Sequence, residues 1–268
     1  MLKDITLGQY FPGNSIAHRL DPRTKILLVT LYIIALFSAK GLAGYLVMAA
    51  TLAACVRVSH VGLKALVRGL KPLVVIIIFT GVLNICFTPA EHYLLEWGIL
   101  RISAKGIQTA LFMVVRIMLL VMGTFLMTYT TSPIRLTDGL ESLLNPLKKI
   151  HVPVHELAMM MAIALRFIPT LIEETDKIIS AQKARGADFE SGSLFQKAKA
   201  LVPILVPLFI SAFRRADELA TAMECRCYHG GEGRTKLHVL KYQRRDYVAL
   251  TGGAVILVLV VVLRRLGT

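Results

Sequence analysis

The segment Cys225-Arg226-Cys227, followed by His229, brings together side chains that could do chemistry. Two thiolates and an imidazole are zinc ligands, and two thiols could form a redox pair. Structural zinc sites, however, favour two to four residues between their cysteines and need four ligands in all. Here one residue separates the thiols, and His238 is a possible but weak fourth ligand. The spacing therefore disfavours a metal site without excluding it.

Helix geometry also disfavours a shared role for the two cysteines. On a helix, positions 225 and 227 point about 200° apart, so their thiols do not converge on one ion. A disulfide between them would close a strained small ring, and cytosolic thiols stay reduced. We interpret both cysteines as small residues beside Arg226 and predict no metal site.

A second polar cluster consists of the carboxylates Glu173, Glu174 and Asp176. Paired carboxylates can perform acid–base catalysis, but Lys177 lies within the same turn, which favours a solvated ion-pair face. The sequence contains neither a G-x-x-x-x-G-K-[ST] phosphate-binding motif nor a His-Glu-x-x-His motif. We therefore expect a protein that is not an enzyme and itself binds no cofactor.

The composition places these residues in a membrane protein. Hydrophobic residues make up 55% of the 268 residues, and the mean hydropathy is +0.63, whereas a soluble domain has about 45–50% apolar residues. The formal net charge is +14. This combination is typical of apolar spans joined by basic cytoplasmic loops. The long apolar runs argue against a nucleic-acid-binding protein, although such proteins are also basic.

Five apolar runs predict transmembrane helices: residues 26–39, 42–58, 72–88, 107–128 and 248–263. A span needs about 20 mostly apolar residues, so the shorter runs require flanking residues to complete them. Lysine and arginine concentrate before the first run and after the second, which predicts a cytoplasmic N-terminus in the cell membrane. The alternating pattern within 89–106 predicts a small hairpin.

The predicted fold class is an all-α integral membrane protein with about five transmembrane helices and long amphipathic cytoplasmic helices. Residues 1–131 form four N-terminal spans, residues 132–247 form a cytoplasmic or interfacial region, and residues 248–268 form the last span. With five spans the side of the C-terminus stays open.

Two long helices predicted within 132–247 end alike. Residues 154–186 and 193–228 each begin apolar and become charged toward the end. At an offset of 41 residues Arg185 aligns with Arg226, and an Asp and an Ala upstream coincide as well. A single arginine would be explained by its attraction to the negative helix end, about 0.3–1 kcal/mol. Two matched arginines favour docking of a partner, because guanidinium groups bind carboxylates and carbonyls.

Proline and glycine predict breaks in these two helices. Pro169, Pro203 and Pro207 are expected to kink or interrupt them. Gly186 is expected to end the first helix, and Gly230–Gly231 the second.

Arg116 lies in the middle of the fourth span, and a charge within the membrane is a candidate functional residue. The favoured interpretation is structural, with Arg116 joining spans through backbone carbonyls or Asn84.

Four segments together resemble a known family. HRLDPRTK, TSPIRLTDGLESLLNPLKK, LRFIPTLIEETDKIISAQKARG and AMECRCYHGGEGRTK follow in this order within about residues 7–236. They resemble the transmembrane T component of energy-coupling factor (ECF) vitamin transporters, in particular the type shared among several substrate-binding subunits. The cobalt- or biotin-dedicated types are less similar. The resemblance implies a non-catalytic scaffold that joins two cytoplasmic ATP-binding subunits to a small membrane subunit that binds the vitamin.

The resemblance also implies roles for particular residues. A tripeptide at the end of each long helix docks in a groove of one ATP-binding subunit. The six residues are Ala184, Arg185 and Gly186 in the first helix and Cys225, Arg226 and Cys227 in the second. The second tripeptide departs from the Ala-Arg-Gly pattern of the family. Because a side chain at the glycine position disfavours a left-handed residue, we expect the turn to move to Gly230–Gly231.

An apolar patch of Met159, Met160, Met161 and Phe167 has two interpretations. From the residues alone it is ordinary core. The resemblance implies instead a deformable contact for several substrate-binding subunits, since methionine adapts to different partners. The implied partners are two ATP-binding subunits, one or several substrate-binding subunits and membrane lipid, with no nucleic acid.

Two other functions compete with the ATPase-coupling scaffold. An autonomous secondary transporter would place charges or broken helices at mid-membrane, and only Arg116 fits. A membrane metalloprotein would use Cys225, Cys227 and His229, and it lacks further ligands.

Overall fold

The computed structural model describes residues 10–89, 95–97, 100–187, 189, 193–230 and 239–266. These residues are mainly helical, which confirms the expected fold class. The helices are α1 (Ile16–Arg19), α2 (Pro22–Ser38), α3 (Gly41–Ser59), α4 (Leu63–Leu70), α5 (Val74–Phe87), α6 (Ala104–Thr130), α7 (Pro133–Leu144), α8 (Val154–Ala184), α9 (Leu194–Glu224) and α10 (Arg244–Arg265). The short strands β1 (Leu95–Trp97) and β2 (Leu100–Ile102) pair antiparallel, as the hairpin prediction requires.

Local capping explains where several helices begin. Asp21 accepts a hydrogen bond from the Arg23 N–H and precedes Pro22, whose fixed φ suits a first helical residue. Ser103 caps α6 by accepting from the Gly106 N–H. Ser193 and Gln196 form a reciprocal capping box at the start of α9. These starts depend on neighbours within four residues, so the sequence alone could indicate them.

Five helical stretches among the described residues are long and apolar enough to cross a membrane. They are Gly41–Ser59, Leu63–Phe87, Ala104–Thr130, Val154–Ala184 and Arg244–Arg265. The number of candidate spans agrees with the sequence prediction, but one of the five predicted spans is replaced by a different helix. The predicted first span, α2, has 17 residues, about 26 Å at 1.5 Å per residue, which is shorter than a hydrocarbon core of about 30 Å. In its place α8 meets both criteria of length and composition.

The chain divides into two compact units, one formed by Gly8–Leu140 with Leu240–Thr268 and the other containing Glu141–Val239. In the first unit, α6 packs against α2, α3, α4 and α5. Its core includes the fully buried side chains of Leu36, Met48, Leu66 and Tyr129. The long, apolar α6 is therefore the central element of this unit.

Two contacts join the beginnings of α2 and α10. The Asp21 N–H donates to Asp246 Oδ1 at 2.9 Å, and Arg23 Nη2 donates to the Leu240 carbonyl at 2.6 Å. The Arg23 guanidinium also lies 4.6 Å from the centre of the Tyr242 ring. Asp246 is buried, and its carboxylate is satisfied by backbone N–H groups. Helix α10 therefore packs beside α2, and the two helices run parallel.

Arg116 contacts the connection between α2 and α3. Its Nη2 donates to the Ala39 carbonyl at 3.5 Å, and its guanidinium lies 5.7 Å from the ring centres of Phe37 and Tyr45. The expectation of a carbonyl partner is confirmed. The alternative partner Asn84 is not among the hydrogen-bond partners of Arg116 in the described part of the chain, which are the Ala39 carbonyl and the Met113 sulfur.

The second unit contains α8 and α9, which run antiparallel. Gln182 near the end of α8 contacts Pro203 in the first part of α9, and Met159 near the start of α8 lines a cleft with Met223 near the end of α9. Both helices are continuous through their prolines, so the prolines do not interrupt them, and the alternative of a kink at Pro169, Pro203 or Pro207 stays a prediction. Each helix has 31 residues, about 46 Å in length.

Candidate functional site

The end of α8 presents Arg185 in a closed helix terminus. The Gly186 N–H donates to the Lys183 carbonyl at 3.0 Å, and the Ala187 N–H donates to the Gln182 carbonyl at 3.0 Å. Gly186 has a φ of 88°, the left-handed conformation that glycine adopts without a steric penalty. These two hydrogen bonds and the left-handed residue define a Schellman motif. Arg185 is the last residue before the chain reverses direction.

The end of α9 repeats this motif residue for residue. The Cys227 N–H donates to the Glu224 carbonyl at 2.8 Å, and the Tyr228 N–H donates to the Met223 carbonyl at 3.0 Å. Cys227 has a φ of 56° and takes the position that Gly186 takes in α8. The expectation that the turn moves to Gly230–Gly231 is therefore wrong. The 41-residue offset seen in the sequence relates the backbone hydrogen bonds of the two helix ends as well.

Cys227 is sterically strained and Gly186 is not, because the left-handed region is disfavoured for an L-residue by roughly 1–2 kcal/mol. We expect Cys227→Gly to stabilise this helix end by about 1 kcal/mol, because glycine adopts the same φ freely. Hydrogen exchange at the Tyr228 amide, followed by mass spectrometry on the purified chain, should slow about fivefold. Cys225→Ala is the matched control, because Cys225 has a φ of −60°. Equal slowing in both variants would contradict the strain.

All six residues predicted to dock are exposed at their side chains or backbone: Ala184, Arg185, Gly186, Cys225, Arg226 and Cys227. Within the described residues, neither guanidinium forms an ion pair with a carboxylate of this chain. Each arginine also lies at the negative end of its helix, which it complements electrostatically. The structure thus presents two similar cationic tips that are accessible from outside.

The antiparallel arrangement decides where the two tips lie. Arg185 ends α8 and Arg226 ends α9, so the arginines lie at opposite ends of the helix pair. With helices of about 46 Å, the two tips are separated by a distance comparable to a small domain. Two partner molecules could therefore each contact one tip without competing for the same surface.

A polar contact between α8 and α9 holds the pair together near its middle. The Glu174 carboxylate accepts a hydrogen bond from the Ser211 hydroxyl and forms an ion pair with Arg215 Nη2 at 2.9 Å. The predicted solvated ion-pair face therefore describes Glu173, which is exposed, but not Glu174. Sequence reasoning missed this contact because its members lie 37 and 41 residues apart.

A second contact uses a carbonyl that proline leaves free. Pro207 has no N–H to donate to the Pro203 carbonyl, four residues earlier in α9. Gln182 Nε2 of α8 donates to that carbonyl at 3.5 Å. Pro207 therefore leaves an acceptor for the neighbouring helix without interrupting α9.

The cleft beside Arg226 is lined by Met159, Ile163, Leu219 and Met223 from the two helices, and by Tyr228 and His229 from the segment that follows α9. Among the described residues, no group of three Cys, His, Asp or Glu side chains is arranged to hold a metal ion. The possible ligand His238 lies outside the described residues. The cleft is thus mainly apolar, with one cation at its edge.

The methionine patch is divided between two surroundings. Met159 lines the cleft against α9, whereas Met160 is exposed; Met161 and Phe167 are half-buried. Three consecutive residues on a helix point about 100° apart, so they cannot share one face. The proposed contact with a substrate-binding subunit stays a prediction for these four residues.

The structure shows a larger apolar surface on α9 that sequence reasoning missed. Val202, Val206, Phe209, Ile210 and Phe213 are between 50% and 73% exposed. Their spacing of three, four, seven and eight residues places them along one face of the helix. The signal was present in the sequence, but only the structure shows that α8 packs elsewhere and leaves this face uncovered.

Comparison with known proteins identifies the family of this chain. The sequence model of the CbiQ family, described as cobalt transport protein, matches residues 13–237. A protein of Clostridium kluyveri named energy-coupling factor transporter transmembrane protein EcfT is 54% identical over 99% of this chain and 98% of its own length. The proteins of the same name from Bacillus subtilis and Lactococcus lactis are 46% and 42% identical, over 98% and 97% of this chain and 100% and 98% of their own lengths. With matches of this extent, the chain belongs to the CbiQ family and, within it, to the transmembrane components of energy-coupling factor transporters.

Proposed function

We propose that this chain is the scaffold subunit of an ECF-type importer, which couples ATP hydrolysis by two ATP-binding subunits to movement of a substrate-binding membrane subunit. The observation that carries the proposal is the pair of matched helix ends. Arg185 and Arg226 close identical backbone motifs, are exposed, and lie at opposite ends of one antiparallel helix pair. Two related ATP-binding subunits would each recognise one such end.

The helix pair would transmit movement because it is internally tied. Glu174 joins Ser211 and Arg215, and Gln182 joins Pro203, so a displacement of one tip moves both helices. In this proposal the ATP-binding subunits shift the tips when they close on ATP. The chain itself contributes no catalytic residue and binds no cofactor, and ATP and magnesium act in the partner subunits.

The exposed face of α9 is the surface that we assign to the substrate-binding subunit. Its five members, Val202 to Phe213 as described above, form an apolar stripe, and a membrane subunit offers an apolar surface to cover it. Met160 and Phe167 on α8 would extend this contact. The chain would act in the cell membrane with its N-terminus in the cytoplasm and would take part in vitamin or micronutrient uptake.

The test is to purify the tagged chain from its own membranes in mild detergent and to identify its companions by mass spectrometry. We expect two ATP-binding subunits and one or more small membrane proteins. An unrelated multi-span protein with the same tag is the control for adventitious capture. Recovery of the chain alone, and competent for transport after reconstitution without ATP, would overturn the proposal in favour of a secondary transporter.

A further inference from the structure

An apolar groove runs along the first unit between α2, α3, α6 and α10. Its volume is about 630 Å³, and its walls include Leu28, Leu52, Leu126, Val248 and Ile256. It belongs to neither helix tip, and the ATPase-coupling role makes no use of it.

The polar groups inside the groove are already satisfied. The Tyr32 hydroxyl donates to the Leu119 carbonyl, the Thr51 hydroxyl to Val47 and the Thr130 hydroxyl to Leu126. These groups have their partners within the protein, so the interior of the groove presents a hydrocarbon-like surface. An occupant of this part must therefore be apolar.

One end of the groove is strongly basic. Its charged lining residues are Lys25, Arg244 and Arg245, and no carboxylate is found among the described residues that line the groove. Arg244 and Arg245 are exposed, and within the described residues neither forms an ion pair. Lys25 is buried, and its ammonium group donates to the Thr130 carbonyl and the Thr131 hydroxyl; one of its three donors is left. An anionic group would complement this end.

The nearest carboxylates do not neutralise these cations by direct pairing. Asp246 accepts from the N–H groups of Asp21 and Gln243, and Asp21 accepts from the backbone and side chain of Arg23. Both carboxylates are buried. The two arginines of α10 therefore face solvent or a ligand with their full charge.

The dimensions agree with one lipid leaflet. From Arg244 to Ile256 is twelve residues of helix, about 18 Å, and half of a hydrocarbon core is about 15 Å. A glycine widens the groove at mid-length, because a Cβ added to Gly252 would meet no atom within 4 Å. Basic pockets between transmembrane helices bind anionic lipid headgroups.

We propose that this groove binds one anionic phospholipid, with its phosphate at Arg244, Arg245 and Lys25 and an acyl chain along α10. The lipid would fill the space between α2, α3 and α10 that the protein leaves open. Its site is separate from the helix tips and from the apolar face of α9.

Native mass spectrometry of the full chain in detergent, titrated with dioleoylphosphatidylglycerol or dioleoylphosphatidylcholine, tests the proposal. We expect one phosphatidylglycerol to bind preferentially, and Arg244→Gln plus Arg245→Gln to weaken it roughly 30-fold, to the level of phosphatidylcholine. Arg264→Gln plus Arg265→Gln, two exposed arginines at the other end of α10, should leave it unchanged. Glycerol 3-phosphate, a headgroup without chains, should not compete.

A second variant tests the apolar part. Gly252→Phe should fill the groove and abolish binding of both lipids, whereas Val258→Phe, at a 61% exposed position of α10 outside the lining, should leave binding unchanged. Preference for phosphatidylglycerol that survives Arg244→Gln plus Arg245→Gln, or competition by glycerol 3-phosphate, would overturn the proposal. Loss of a co-purifying membrane subunit in Gly252→Phe, with lipid binding intact, would show a protein interface instead.

Discussion

The double variant Arg185→Glu plus Arg226→Glu is expected to lose both ATP-binding subunits and with them all ATP-dependent uptake. Each arginine is exposed at a helix tip, and removing one partner of a buried interfacial charge pair costs about 2–5 kcal/mol. Reversing both charges adds repulsion, because a surface that binds a guanidinium group offers carboxylates or carbonyls. Affinity for the ATP-binding subunits should fall by at least roughly 1,000-fold, which co-purification and surface-based binding measurements would both detect.

The structure offers a matched control for this variant. Lys148 and Lys149 are two exposed cations in the 3₁₀ segment Asn145–Ile150 of the same unit, and Lys148→Glu plus Lys149→Glu makes the same change in net charge. It should retain the ATP-binding subunits. Folding should survive in the arginine variant, because a charge at a helix end contributes only about 0.3–1 kcal/mol. The docking role would be wrong if Cys225→Ala plus Cys227→Gly abolished transport while Arg226→Ala did not.

Gly123→Leu is expected to destabilise the first unit by about 3 kcal/mol. A Cβ added at Gly123 would lie 2.5 Å from Cε1 of the Tyr32 ring, and that ring is held by the hydrogen bond of its hydroxyl to the Leu119 carbonyl at 3.1 Å. A larger side chain must displace Tyr32, which adds overpacking to the loss of a hydrogen bond. The apparent midpoint of thermal unfolding in detergent should fall by roughly 6–12 °C.

Gly252→Leu is the control for this substitution, since it makes the same exchange within another helix. No atom lies within 4 Å of a Cβ built on Gly252, so the leucine enters open space. In detergent without added phospholipid its midpoint should change little or rise, because leucine has the higher helix propensity. Equal loss in both variants would show that the effect belongs to helical glycines in general and not to the close approach of α2 and α6.

Much of the fold could be predicted because it depends on local patterns. The apolar runs predicted four of the five described helices that are long and apolar enough to cross a membrane. The prediction included α2, which is too short, and did not include α8. Its boundary is set by Ala39, where the chain turns to meet Arg116. The sequence of residues 26–39 does not predict that contact, because it joins positions that are 77 residues apart.

Some features of the candidate site could also be predicted from the sequence, and others could not. The repeated arginine at a charged helix end is visible in the sequence, because capping and helix termination involve residues within one or two turns. Cys227 adopts the left-handed conformation in addition to Gly230, with φ values of 56° and 95°. That a cysteine does so directly after Arg226 was not predictable from propensity, which favours glycine in this conformation. Cys227 is exposed, and the two local hydrogen bonds of the Schellman motif form despite a steric preference of about 1–2 kcal/mol against an L-residue in this region.

By itself, then, the sequence determined the membrane class, the helical elements and the two arginine-bearing helix ends, since composition and short-range spacing carry that information. Only the tertiary structure decided that α8 and α9 run antiparallel, so that Arg185 and Arg226 lie at opposite ends. It also decided that Glu174 pairs with Arg215, that one face of α9 stays uncovered, and that a basic groove opens beside α10. The physical reason is that relative helix direction and packing follow from many long-range contacts summed over the chain, and no local pattern encodes that sum.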